Sequence, residues 1–200
     1  MRNKRYANGD KLLDLLEKIE DQDLRPKVIE LYKKFEDKIN YYPASSTAHH
    51  NWPFGWSDHT AQVIDFGIKL YKNVVPKSLA DFTLDDVILV CFVHDLDKLW
   101  RYKEAEGKRK KKIHFDYVKR LPFEPTSKVI AECFRNGIEL TDQHIEAINN
   151  HHGGFTPHLI SVQSKNVRLS QLSSVVHAAD LFSCYFLGSW DPSSVNNEKK

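Results

Sequence analysis

Asp85–Lys98, DDVILVCFVHDLDK, carries an unbroken apolar run from Val87 to Val93 into an imidazole–carboxylate pair, His94 and Asp95. Thr83 stands ahead of it as a helix N-cap. Helical spacing puts Leu84, Val87, Ile88, Cys91 and Asp95 on one face, and Val87, Val90 and His94 on the adjacent one. Both ends of those stripes therefore point at packed neighbours. Burying an imidazole and a carboxylate is costly unless something compensates them, and a divalent ion is the commonest compensation that uses both ligand types.

Outward from this segment the pattern stays helical. Upstream, Ser57 or Asp58 is placed to cap a helix in which His59, Val63, Phe66 and Leu70 follow at steps of four, three and four. His59 thus begins an inward stripe. Further back, Asp10 precedes a short amphipathic helix with Leu12, Leu13, Leu15, Leu16 and Ile19, and a second follows Pro26 with Val28, Ile29, Leu31, Tyr32, Phe35 and Ile39. Downstream, helices are expected from Thr126 to Phe134, ending at Asn136–Gly137, and from the cap Thr141 to about Asn150. The last strong helix, about Ser170 to Leu187, buries Leu172, Val175, Val176, Ala179, Phe182 and Phe186 and sets His177 and Asp180 one turn apart.

Strand signals are weak, so the expected fold is an all-α bundle of about six to eight helices, with room for a small β ribbon in the charged stretch RYKEAEGKRKKKIHFDY. Residues 1–45 are expected to form N-terminal helices packing on the core, 46–187 the domain that carries the His94–Asp95 site and 188–200 a loose tail. With 29 basic against 27 acidic residues the chain is nearly neutral, which gives no global reason for wrapping duplex DNA or coating a membrane. Cys91, Cys133 and Cys184 lack CxxC spacing and suit a reducing compartment. MRNKRYANGDK is followed by no signal-type apolar core, and no uncharged run reaches the roughly 18 residues of a membrane span, so a soluble cytoplasmic protein is expected.

His59, His94–Asp95 and Asp180, in that order and each on an apolar helix, resemble the HD-domain metal-dependent phosphohydrolases, an all-α superfamily. The resemblance runs from Ser46 to Phe186 and is carried by HHNWPFGWSDHT (49–60), VHDLDK (93–98) and HAAD (177–180). It implies that His59, His94, Asp95 and Asp180 bind one divalent metal. Mixed imidazole and carboxylate ligands suit Mn, Fe, Co, Ni or Zn, with Mg also admissible. Such an ion would lower the pKa of a bound water and screen phosphate oxygens during attack on phosphorus.

Around that set, Asp95, Lys98, His151 and His152 are the candidate catalytic residues. Lys98 is placed either to meet a substrate phosphate or to sit as a cation at a helix C-terminus. Asp97 stands where many members of the superfamily carry Gly in HDxGK, and either assists the site as an acid or base or faces water. His114, His144, His151 and His152 occupy the interval where two-metal branches place further histidines. They imply either a second ion or, at His151 and His152, phosphate donors or a general acid. His50, Trp52 and Trp56 are candidate substrate contacts, with FGW in place of a double glycine, and either stack a nucleobase or plug the helix interface. The run Lys108 to Lys112 either borders the pocket or is a solvated loop.

These readings converge on a metal-dependent phosphohydrolase that attacks a small nucleotide with metal-activated water. The alternatives are a 3′ exonuclease or cyclic-nucleotide phosphodiesterase, which would bring single-stranded nucleic acid in as a partner, and a catalytically silent nucleotide-binding module. A homo-oligomer is compatible with any of them.

Overall fold

In the computed structural model, residues 9–45, 49–104, 115–118, 120–152 and 169–187 are described. The chain is built from helices: α1 (Gly9–Leu16), α2 (Leu24–Ile39), α3 (Gly55–Asn73), α4 (Leu84–Val93), a single turn α5 (Lys98–Arg101), α6 (Pro125–Arg135), α7 (Asp142–Asn150) and α8 (Gln171–Phe182). A π-helical turn, Ser183–Leu187, continues α8. Seven of these are eight residues or longer, within the expected range. The β ribbon is present as Tyr102–Glu104 paired antiparallel with Phe115–Tyr117, Lys103 opposite Asp116. No described helix is long and apolar enough to cross a membrane.

α4 is the axis of the bundle. Val87 through Val93 are all buried, so this helix is apolar around its circumference and is wrapped by α1, α3, α7 and α8. Its start is fixed by a reciprocal cap: the Asp86 backbone N–H donates to Thr83 Oγ1, and the Thr83 N–H donates to the Asp86 carboxylate. The closest neighbour is α3, and Gly67 explains how close. A Cβ there would lie 2.9 Å from Val87 Cγ1 and 3.0 Å from Cys91 Sγ, so the two helices touch through a missing side chain. Leu12, Leu15, Leu16 and Ile19 of the N-terminal segment join the same apolar core as Ile64, Ile88 and Val176.

Several boundaries differ from the sequence expectation, each for a local reason. α3 begins at Gly55, ahead of Ser57 and Asp58; the Ser57 hydroxyl donates to the Phe54 carbonyl, and the Asp58 carboxylate accepts from Trp52 Nε1. The residue that turns the chain into α3 is Phe54, in the left-handed region at φ 70°, followed by Gly55, whose missing Cβ leaves room for the His50 carbonyl oxygen 2.0 Å from where it would stand. α2 starts two residues before Pro26, which is tolerated in a first turn because its absent N–H has no intrahelical partner there. α6 is capped by the Glu124 carboxylate, which accepts from the Thr126 and Ser127 N–H groups, so it begins before Thr126. Gly9 precedes Asp10 within α1, and the α-helical hydrogen bonding of α8 stops at Phe182. Phe182 is 37% exposed rather than buried, its ring lying 4.0 Å from that of Phe66; the Phe186 side chain lies outside the description.

Candidate metal centre

Three helices meet where the apolar core ends. α3 brings His59, the last residues of the α4 segment bring His94 and Asp95, and α8 brings Asp180; all four are buried. His59 Nε2 lies 3.2 Å from Asp180 Oδ1, 3.3 Å from Asp95 Oδ2 and 3.3 Å from His94 Nε2. His94 Nε2 is 3.5 Å from Asp95 Oδ2 and 3.9 Å from Asp180 Oδ1. At the end of α7, His151 Nε2 comes within 3.5 Å of Asp95 Oδ1. Donors bound about 2.0–2.2 Å from one ion stand roughly 3–3.5 Å from each other, so most of these separations fit a shared cation.

The imidazoles are aimed by what holds their other nitrogen. His94 Nδ1–H donates to the Cys91 carbonyl at 2.8 Å and His151 Nδ1–H to the Ile148 carbonyl at 2.8 Å, which leaves each Nε2 turned inward. His59 Nδ1 sits 3.0 Å from Ser183 Oγ, and the Ser183 hydroxyl spends its own proton on Gln62 Oε1 at 2.9 Å. Ser183 must therefore accept from His59 Nδ1–H. Gln62 Oε1 also accepts from His50 Nε2 at 2.9 Å, so His50 Nδ1 is left to accept from His49 Nδ1 at 3.2 Å. One amide oxygen thereby sets the tautomer of three histidines.

Electrostatics set the charge on each donor. Burial lowers His94 to about 3, so its imidazole is neutral at neutral pH. Burial also disfavours charge on His59, yet the Asp180 and Asp95 carboxylates outweigh it and raise its pKa. Burial opposes ionisation of Asp95, but the Lys98 ammonium, 2.5 Å from Oδ2, together with His94, His151 and His59 holds it well below the ordinary carboxylate range. Asp180 is lowered in the same way by its hydrogen bond from His59. Of the four buried side-chain polar atoms without a hydrogen bond among the described residues, two lie in this cluster, Asp95 Oδ1 and His151 Nε2, facing each other at 3.5 Å. An acceptor-rich, buried cluster with unpartnered donor atoms facing each other is able to hold a metal ion.

Two cavities open beside this cluster, one of about 370 Å³ with His49, His177, Asp180 and Cys184 in its wall, the other of about 480 Å³ with Asp95, Arg101, Tyr117 and Asn149. Lys98 and His152 belong to both. Asp97 lines the second, paired with Arg101 Nε at 2.5 Å; burial raises its pKa and Asp95 adds to the effect.

Other expected residues are placed elsewhere. Trp56 has no exposed surface and donates its Nε1–H to the Asp95 carbonyl at 2.9 Å, bracing the metal-facing turn from inside rather than offering a ring to a ligand. His50 is equally enclosed, and burial pulls its pKa to about 2. Trp52 is half-buried against His50 and anchored on Asp58; His50, Trp52 and Trp56 are outside the described lining of both cavities. His144 is a structural residue: Nδ1 accepts from the Thr141 N–H, and Nε2 lies 2.7 Å from Asp86 Oδ1, joining the caps of α7 and α4. His114 and the Lys108 to Lys112 run lie outside the described residues. Gln62, Ser183 and Cys184 join the site without having been singled out from the sequence; Gln62 is three residues past His59, and Ser183 and Cys184 are three and four past Asp180, the spacings that share a helical face.

A helical frame that gathers imidazoles and carboxylates able to hold a metal ion is consistent with a phosphoester-cleaving protein, and such a protein is what comparison finds. The chain is similar to the dihydroneopterin 2',3'-cyclic phosphate phosphodiesterase of Methanocaldococcus jannaschii, 25% identical over 158 residues, covering 74% of this chain and 61% of the relative. It thus spans about three-fifths of the length of the curated relative it matches. No family model and no solved structure matches it.

Proposed function

We propose that the chain is an HD-type, metal-dependent phosphohydrolase acting on a small phosphate ester of nucleotide size. The observation that carries this is the convergence of His59, His94, Asp95 and Asp180, with Asp95 Oδ1 and His151 Nε2 facing each other without a hydrogen bond, beside a lysine shared by two cavities. When bound, a divalent ion, Mn, Fe, Co, Ni or Zn ahead of Mg, supplies Lewis acidity and a water of lowered pKa.

The chain's own groups supply the rest. Lys98, held at Asp95 with its stem buried, offers an ammonium to phosphate oxygens at the junction of the cavities. His152, its ring 3.9 Å from that of His151, stands at the same junction; burial and His151 lower its pKa to about 4, so its neutral ring offers an N–H to a phosphate oxygen. His151 faces Asp95 from the side opposite His59, which suits either a further ligand or an orienting donor. Cavities of a few hundred Å³ match a small molecule rather than a polymer groove.

The relative's cyclic phosphate substrate favours a diester, a cyclic nucleotide or related cyclic phosphate, over a nucleoside mono- or triphosphate. The test is a panel of 2',3'- and 3',5'-cyclic nucleotides, nucleoside mono- and triphosphates and a labelled single strand, each with Mn, Fe, Co, Ni, Zn or Mg, read by chromatography. Ring opening of a cyclic phosphate with one of the transition metals is the expected result. Progressive shortening of the strand with no small substrate cleaved would replace this reading by an exonuclease, and inertness of metal-loaded protein across the panel would leave a nucleotide-binding module.

A further inference from the structure

The phosphohydrolase reading leaves Cys184 without a task. Cys91 and Cys133 are thiols buried in the apolar core, where sulfur serves as a small hydrophobe. Cys184 is different. Its Sγ lies 3.3 Å from Asp180 Oδ1 and 3.3 Å from His49 Nε2, and it forms part of the wall of the 370 Å³ cavity. Ligand atoms of His59, Asp180 and Cys184 all fall within 4.8 Å of one another.

The backbone explains how sulfur reaches this position. Regular α-helical hydrogen bonding ends at Phe182 and the chain widens into the π-helical turn Ser183–Leu187, a feature that concentrates at functional sites. Two successive residues consequently serve the same centre: Ser183 accepts from His59 Nδ1–H, and Cys184 meets the carboxylate one turn back. Independently, the buried Asp95 Oδ1 and His151 Nε2 face each other at 3.5 Å without forming a hydrogen bond, room that a bound ion would use.

We propose that Cys184 supplies a sulfur donor to the ion held by His59 and Asp180, turning the site towards thiophilic divalent metals; this rests on the metal-dependent reading above. On coordination the S–H bond breaks, the sulfur electron pair passes to the metal, and the proton leaves to water in the cavity that Cys184 lines. His49 orients the thiol, because its Nδ1–H is committed to His50 and its bare Nε2 faces Sγ at 3.3 Å. A thiolate added to imidazole and carboxylate ligands favours zinc, cobalt and ferrous iron over manganese and magnesium.

The experiment loads the metal-free full chain with one equivalent of Co(II) and records absorption. The wild type is expected to show visible ligand-field bands together with a near-ultraviolet thiolate-to-cobalt charge-transfer band. Cys184→Ser and Cys184→Ala should keep bound cobalt and the visible bands and lose the charge-transfer band. Zinc affinity should fall by about tenfold or more in Cys184→Ser, with manganese affinity changed by less than about threefold. Stoichiometric cobalt in the wild type without that band, or a band that persists in Cys184→Ser, overturns the role of Cys184 and leaves the metal centre standing. Failure of the wild type to bind cobalt overturns both.

Discussion

Glu132→Gln isolates the strongest charge cluster outside the candidate site. Glu132 lies in α6 with 5% of its surface exposed, and its carboxylate meets Lys128 Nζ at 2.5 Å, Arg135 at 2.8 Å and Lys34 of α2 at 2.8 Å. Burial alone would raise its pKa, but Lys128 and Lys34 bring it from an ordinary value near 4.5 to about 2. Taken in full, that difference corresponds to roughly 3 kcal/mol of stability. Lys34 and Arg135 are 42% and 58% exposed and share their charge with water, so about half, ~1.5 kcal/mol, is the expected loss in Glu132→Gln at pH 7.

The pH dependence has a definite sign. A carboxyl whose folded pKa is depressed stabilises fully above its unfolded value, and that contribution disappears as pH falls from about 4.5 through about 2. Urea unfolding of wild type and variant should therefore show a gap of ~1.5 kcal/mol at pH 7, nearly unchanged at pH 5.5 and clearly narrower by about pH 3. Other carboxylates cancel in the difference. Thermal midpoints should differ by about 3–6 °C at pH 7 for a chain of this size. Equal stabilities at pH 7, or a gap as wide at pH 3 as at pH 7, would refute the reasoning. The result bears on function because α6 contributes Thr126 and Val129 to the wall of the larger cavity.

His94→Ala or Asp95→Ala should remove metal and activity together; the wild type should gain about 5–10 °C in melting temperature with metal at about a hundredfold excess over Kd, and the variants nothing. Gly55→Ala forces a Cβ onto the His50 carbonyl and should cost about 3 kcal/mol by chemical unfolding, with loss of metal affinity as the loop behind His59 shifts. Trp56→Phe removes one of the two donors to the Asp95 carbonyl, which keeps the Lys98 N–H, and should destabilise by about 1 kcal/mol; an unchanged unfolding midpoint would show that the bond contributes nothing. Lys98→Gln should raise KM and lower kcat while metal content, measured by elemental analysis, stays stoichiometric, unlike the ligand variants.

Much of the frame is legible in local sequence because its determinants are local. Thr83 and Thr141 cap α4 and α7 as their positions indicate, and helical spacing turns His59, His94, Asp95 and Asp180 inward from three helices. What escapes is decided at long range or against type. Phe54 adopts a left-handed conformation usually left to glycine, so the start of α3 is hidden. Ser183 fixes the tautomer of a histidine 124 residues away, and His144 spends both nitrogens on caps, a use no spacing distinguishes from metal binding. Trp56 and His50 sit in a motif that suggests the pocket mouth, while packing turns them inward.

Gly67 has a reach beyond helix packing. It stands two turns after His59 on α3 and touches Cys91, one turn before His94 on α4, so the contact lies on the lever arms that carry both imidazoles. The separation of those arms sets how far apart the two Nε2 atoms stand. A single hydrogen atom in place of a methyl group thus helps fix the 3.3 Å between them, and a Gly67→Ala substitution, by prying the helices apart, is expected to widen that spacing without altering any of the four donors.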